Sequence, residues 1–172
     1  MHNFIYIGYD IWPKPTYLRE FTNTTTWERD EVYDEIRIAT GIEENFLQLL
    51  NPKNEQELNT LYQQVNSSIE ESVLILVAIE EDIYNIQKSI VSSINPTFIS
   101  NFPFSLIGFD ICDINGFFSV FDMGIDFFSR NNLLDENELE EATNLTKLAN
   151  DLVPEHAPFH LVKLFKVEGK SR

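Results

Sequence analysis

The residues of this 172-residue chain that could do chemistry gather in its second half: His156, His160, Cys112, Asp110, Asp113, Asp122 and Asp126. His156 and His160 stand four apart, the spacing of a zinc pair on a helix. Pro158 between them and the β-prone surroundings oppose a helix, although residues four apart also share a face on a strand. No suitably spaced third ligand follows, so the expectation is partly buried, hydrogen-bonded histidines. The carboxylates cluster around Asn115-Gly116 and have the chemistry to hold Mg²⁺ or Ca²⁺, or to act as an acid/base pair. On a strand, however, Asp110 and Asp113 point to opposite sides, and the chain contains neither an EF-hand loop nor a DxDxG pattern. Asp110, beside a core strand, must be paired or hydrogen-bonded. Cys112 lies between Ile111 and Asp113, without the cationic neighbour or helix start that lowers a thiol pKa, so packing is its expected role. GxSxG, Walker and GxGxxG patterns do not occur. No catalytic, cofactor-binding or metal residues are therefore expected; an enzyme would have to use Asp110, Asp113 and His156.

Charge points in another direction. Twenty-eight acidic residues against twelve basic ones give a formal net charge of −16. That balance opposes docking on nucleic acid or anionic membrane and attracts a basic partner. The carboxylates form three blocks, Glu28–Glu35, Glu80–Asp82 and Asp135–Glu141, each readable as the solvated face of a helix. The first block also holds aromatics, and a mixture of exposed carboxylates and aromatics suits a protein–protein contact. Its candidate contact residues are Trp27, Glu28, Asp30, Glu31, Tyr33, Asp34 and Glu35, joined by Asp110, Asp113 and Asp122 from the second half. The single cysteine excludes an internal disulfide. The amino terminus lacks a basic stretch followed by an apolar one, and no window is apolar enough to span a bilayer, so a cytoplasmic protein is expected.

The elements that must position these residues follow from pattern. Hydrophobic residues make up 43% of a chain long enough for one domain, which at this size buries roughly 70% of its unfolded surface. Asn3–Tyr9 reads as a strand, and Trp27–Ala39 as a helix with Val32, Ile36 and Ala39 inward and Gly41 at its end. Ile42–Leu50 reads as a second helical piece. Asn54 and Glu57 look like a capping box ahead of Leu58, Leu61, Tyr62 and Val65. Ile69–Ile94 keeps helical spacing, with a strand over the apolar run Leu74–Ile79 as the competing reading. Ser105–Ile114, Asn115-Gly116 and the following Phe-rich run read as a β-hairpin, with Ile107, Phe109, Ile111, Phe118 and Val120 on the core face. Asp135 then caps an acidic helix with Leu139, Ala142, Leu145, Ala149 and Leu152 inward, and His156–Val167 reads as a last strand. The fold expected is α+β, a small and mainly antiparallel sheet with a central β-hairpin and helices packed on one side. One five-residue echo appears, Ile7-Gly-Tyr-Asp-Ile11 and Ile107-Gly-Phe-Asp-Ile111, for which two central strands in similar surroundings are the plainer account.

The segment LIGFDICDINGFFSV, the acidic helix after it, and PEHAPFHLVKLFKV together resemble bacterial immunity proteins of contact-dependent growth inhibition and related polymorphic-toxin systems. The likeness rests on Gly108-Phe109-Asp110-Ile111-Cys112-Asp113 and on Glu155-His156-Ala157-Pro158-Phe159, and covers roughly residues 104 to 167. It implies a cytosolic, non-enzymatic protein that binds one cognate protein toxin, commonly a basic nuclease, and occludes its active site or target-binding surface. It implies no cofactor. An acidic regulatory or DNA-mimic binding protein is the alternative that charge alone supports.

Overall fold

The uninterrupted apolar run from Val73 to Ile79 lies at the centre of the structure as a strand buried on both faces. Burial on both sides removes the polar alternation that marks a half-exposed strand, which is why helix and strand look alike there. In the computed structural model the elements are β1 (Phe4–Pro13), α1 (Thr26–Thr40), α2 (Glu55–Ser68), β2 (Ser72–Glu80), α3 (Glu81–Gln87), β3 (Phe104–Asp113), α4 (Leu139–Leu152) and β4 (Phe159–Val167). The structure describes residues 3–13, 26–68, 72–89, 92–94, 99, 101–114, 119–128, 130 and 133–169; within them, the side chains at 13, 26–32, 68 and 122 lie outside the description. The four strands form one antiparallel sheet in the order β1-β2-β4-β3, so the class is α+β.

Strand alternation sorts the core. Leu74, Leu76 and Ala78 of β2 face α1 and α2, sharing a cluster with Tyr33 and Ile36 of α1 and with Leu58, Leu61 and Val65 of α2. On that same face Phe109, Ile111, Phe159 and Leu161 receive Ala142 and Ala149 of α4. Between the two groups stands the half-buried Lys163, its Nζ 5.3, 5.7 and 5.4 Å from the ring centroids of Phe4, Phe109 and Phe165. At that distance the rings' negative faces attract the ammonium. The opposite face, with Ile75, Val77, Ile79, Val162 and Leu164, is closed by Leu47, Leu49 and Leu133 from loops and by Ile83 and Tyr84 of α3.

The two halves of the chain repeat one topology. Gly8 pairs with Val77, Val77 with Leu164, and Leu164 with Gly108, so one row crosses all four strands. That row relates β1 to β3 and β2 to β4 by an approximate two-fold axis normal to the sheet. Each edge strand carries a bulge just before its glycine, between Tyr6 and Gly8 and between Leu106 and Gly108. Each then exchanges a pair of backbone hydrogen bonds with a loop leucine. Tyr9 and Leu50 bond at 2.8 Å in both directions, and Phe109 and Leu134 at 2.7 and 3.0 Å. A helix follows each loop, α2 and α4, and then an inner strand. The five-residue echo thus marks the two edge strands rather than two central ones.

Other expectations shift for local reasons. Ile42–Leu50 forms a turn whose ends bridge, Glu44 to Leu50 and Leu50 to Tyr9, because Asn45 binds the Leu47 and Leu49 amides and the Ile7 carbonyl of the bulge. Beyond Asp113 the Asn-Gly turn lies outside the described residues; Ser119 bridges Cys112, and a 3-10 turn at Val120–Asp122 follows at once. Residues 119–122 therefore give no continued second hairpin strand, and the sheet partner of β3 is β4. Cys112 is buried on the loop face, so both faces of β3 are core. The Asn54 cap stands, its side chain accepting from the Glu57 N–H at 2.9 Å, while Glu57 reaches past it to the Lys53 N–H.

Glycine at the ends of the row has a steric reason. A Cβ on Gly8 would lie 2.6 Å from Leu49 Cβ. Gly8→Ala should lower unfolding free energy by about 1–3 kcal/mol through overpacking, read as a lower urea midpoint.

Candidate partner-binding surface

The echoed aspartates are edge staples. The Asp10 carboxylate accepts from its neighbour Ile11 N–H and from Trp12 Nε1–H, each at 2.9 Å, and from the Tyr33 hydroxyl. Asp110 accepts from Ile111 N–H at 2.7 Å and from Ser119 Oγ at 2.6 Å. A charge tucked against the strand's own free edge, with a bulge beside it, discourages pairing with another chain. Asp110, half-buried, thus holds the 119–122 segment to the end of β3.

Asp113 and His156 do meet. Asp113 is 3% exposed, and one of its oxygens lies 3.6 Å from Nδ1 of the exposed His156. That depth removes Asp113 from any contact surface, while the pair joins the end of β3 to the turn before β4. His160 is buried on the other face of the sheet, opposite Cys112, and burial pushes its pKa below the ordinary 6.5. The Leu161 carbonyl and the charges of Glu80 and Asp113 oppose that shift without overcoming it. The two histidines therefore do not converge, and among the described residues no group of three or more His, Cys, Asp and Glu is placed to hold a metal ion. A shallow depression of about 280 Å³ opens between the end of β2 and α4, lined by Glu80, Thr146, Lys147, Asn150 and Asp151 among others. Its polar groups serve the fold: Glu80 accepts from the Leu161 N–H at 3.2 Å and Asn150 from the Phe159 N–H at 2.7 Å.

The aromatic–acidic reading of α1 loses one of its aromatics. Tyr33 is 3% exposed and points into the core, where its hydroxyl serves Asp10, so it is no surface aromatic. Asp34 and Glu35 are exposed, with Asp34 paired to Arg37. Trp27, Glu28, Asp30 and Glu31 lie on the α1 backbone, and Asp122 closes the 3-10 turn; their side chains are outside the description.

A surface that sequence reasoning missed lies on α4. Asp135 and Glu138 form a capping box at its entry, and the hydrogen bond donated by the Asp135 N–H holds the Glu138 carboxyl below its usual range. Ala142 and Ala149 are buried, whereas Leu152, expected inward, is 60% exposed and Leu148 37%. Glu140, Glu141, Asp151 and Glu155 are exposed around them. Alanines at the seam narrow the buried stripe and leave the leucines on its flank outside. The signal was the seven-residue alanine spacing, read as a part of a broad leucine stripe instead. Among the described residues, no helix is long and apolar enough to cross a membrane.

Tyr33→Phe removes a hydrogen bond to a carboxylate and should cost about 1.5–3 kcal/mol of stability in urea unfolding. His160 contributes stability that is fully present above pH 6.5, its unfolded value, and is lost as pH falls below it, because unfolding takes up a proton there. Urea midpoints measured from pH 7 to 5.5 should therefore decline, and less steeply in His160→Gln. Compared with protein-family models, with curated proteins and with solved structures, the chain matches none.

Proposed function

We propose that the protein is an acidic binding protein of the immunity class, which captures a basic protein toxin in the cytoplasm and occludes its active-site cleft or target-binding surface. The observation that carries this reading is α4: Leu148 and Leu152 stand exposed among Glu140, Glu141, Asp151 and Glu155 on a chain of net charge −16. Apolar anchors within a rim of one charge are what a protein contact needs, the anchors for affinity and the rim for steering and register. Carboxylates can stand where a nuclease expects phosphates, and a field of this sign speeds capture of a cationic partner. The resemblance of Gly108–Asp113 and Glu155–Phe159 to immunity proteins supports the class; the first segment lies in β3 and the second leads into β4, the two strands that α4 packs against.

Co-expression with the protein encoded by the adjacent reading frame tests the proposal. That neighbour expressed alone should arrest growth; with this protein present, growth should recover and the two should co-purify. Glu140→Lys with Glu141→Lys should slow association roughly tenfold at low salt, with a smaller difference at high salt. A toxic neighbour that neither binds the protein nor is neutralised by it would refute the reading.

A further inference from the structure

The pseudo-two-fold relation lets each half measure what the other lacks. The helices α2 and α4 have the same length and follow equivalent loops, so Leu58 corresponds to Ala142, Leu61 to Leu145, Gln64 to Leu148 and Val65 to Ala149. The seam positions agree, since Leu58, Val65, Ala142 and Ala149 are all buried. The flank differs. In α2, Leu61 is fully buried and Gln64 half-buried, and α1 packs alongside with Tyr33 and Ile36 in the same cluster. In α4, Leu145 is only half-buried, and Leu148 and Leu152 are exposed.

The cause lies in the segment between edge strand and loop. In the first half, residues 14–49 hold α1; in the second, residues 114–133 hold two 3-10 turns, Val120–Asp122 and Asp126–Phe128. Those turns place Phe121 and Phe128 against Ala142 and Ala149 but leave the Leu148–Leu152 flank uncovered. The more exposed flank is also the more apolar of the two, having leucine where α2 has glutamine. That is the reverse of what solvent exposure alone favours.

We infer that the outer flank of α4, Leu145, Leu148 and Leu152, is the docking site for an amphipathic helix with basic flanks from a partner protein, seated on α4 as α1 sits on α2. The inference rests on the reading above that the partner is a basic protein. Charge selects the occupant: Glu140, Glu141, Asp151 and Glu155 surround the stripe, with Lys147 as the cation among them. A second copy of this chain would bring another −16 to the contact. Leu145, Leu148 and Leu152 form an i, i+3, i+7 stripe of apolar anchors, the recognition pattern of helix pairing.

The probe is a synthetic amphipathic helix of α1's length with a leucine stripe and lysine flanks, titrated into the full-length ¹⁵N-labelled protein. A peptide with the same stripe and glutamate flanks is the control. Amide shifts should concentrate between Glu140 and Leu152, and the glutamate-flanked peptide should cause none. Leu148→Asp with Leu152→Asp, both at exposed positions, should weaken binding about tenfold or more while leaving the circular dichroism unchanged. Shifts centred elsewhere, equal binding by the double variant, or concentration-dependent shifts on α4 from self-association would overturn the inference. The growth test separates it from the functional proposal. A wild type that neutralises the toxin beside an equally protective double variant sinks the surface and keeps the function. A wild type that fails to protect sinks the function, and the peptide titration still decides the surface.

Discussion

Gly8, Val77, Leu164 and Gly108 form one row across the sheet, and the loop leucines Leu49 and Leu133 press on its two ends. Much of the structure depends on that row. A strand buried on both faces has no polar side to set its register, so a slip of one residue costs β2 little in hydrophobic burial. The glycine notches supply the missing constraint. At Gly108 a Cβ would meet Leu134 O at 2.6 Å and Leu133 Cβ at 2.9 Å, so the loop seats there only while the notch is empty. Seating it lets Phe109 and Leu134, like Tyr9 and Leu50, exchange hydrogen bonds that occupy the outer edge of the sheet.

With the loops holding one face, the long helices take the other. The result is a sheet whose two edges are bulged, stapled by Asp10 and Asp110, and partly paired by loops, all of which blunt association through strand addition. The partner contact proposed above lies instead on the helical surface. There the two halves diverge: α1 completes the first, and the shorter 3-10 segment leaves the flank of α4 open. Lys163, set among Phe4, Phe109 and Phe165 between the two helical clusters, corresponds through the row to the fully buried Leu76 and is a second mark of that divergence.

Much of the fold was legible because its signals are local. Gly41 ends α1 with a positive φ, Asn54 and Asp135 cap their helices through their own side chains, and β3 and β4 are rich in Phe, Ile, Leu and Val. The candidate site was less legible. Tyr33 sits among carboxylates in sequence yet is turned into the core by a hydroxyl partner on β1. Strand alternation puts Asp110 and Asp113 on opposite sides, but only the fold supplies their neighbours, Ser119 for the first and His156 for the second. Leu152 looked like core and is outside, since which flank of a helix is covered depends on what packs beside it.

The sequence by itself determined the α+β class, the acidic character, the helix caps and the identity of most apolar residues as core, because each follows from composition or from residues within a turn of one another. The tertiary structure decided the strand order, the correspondence of the two halves and the exposure of Leu148 and Leu152. Those depend on contacts between residues far apart in the chain, Gly8 with Leu49 and Gly108 with Leu133 among them, and no local pattern encodes which loop will fill which notch.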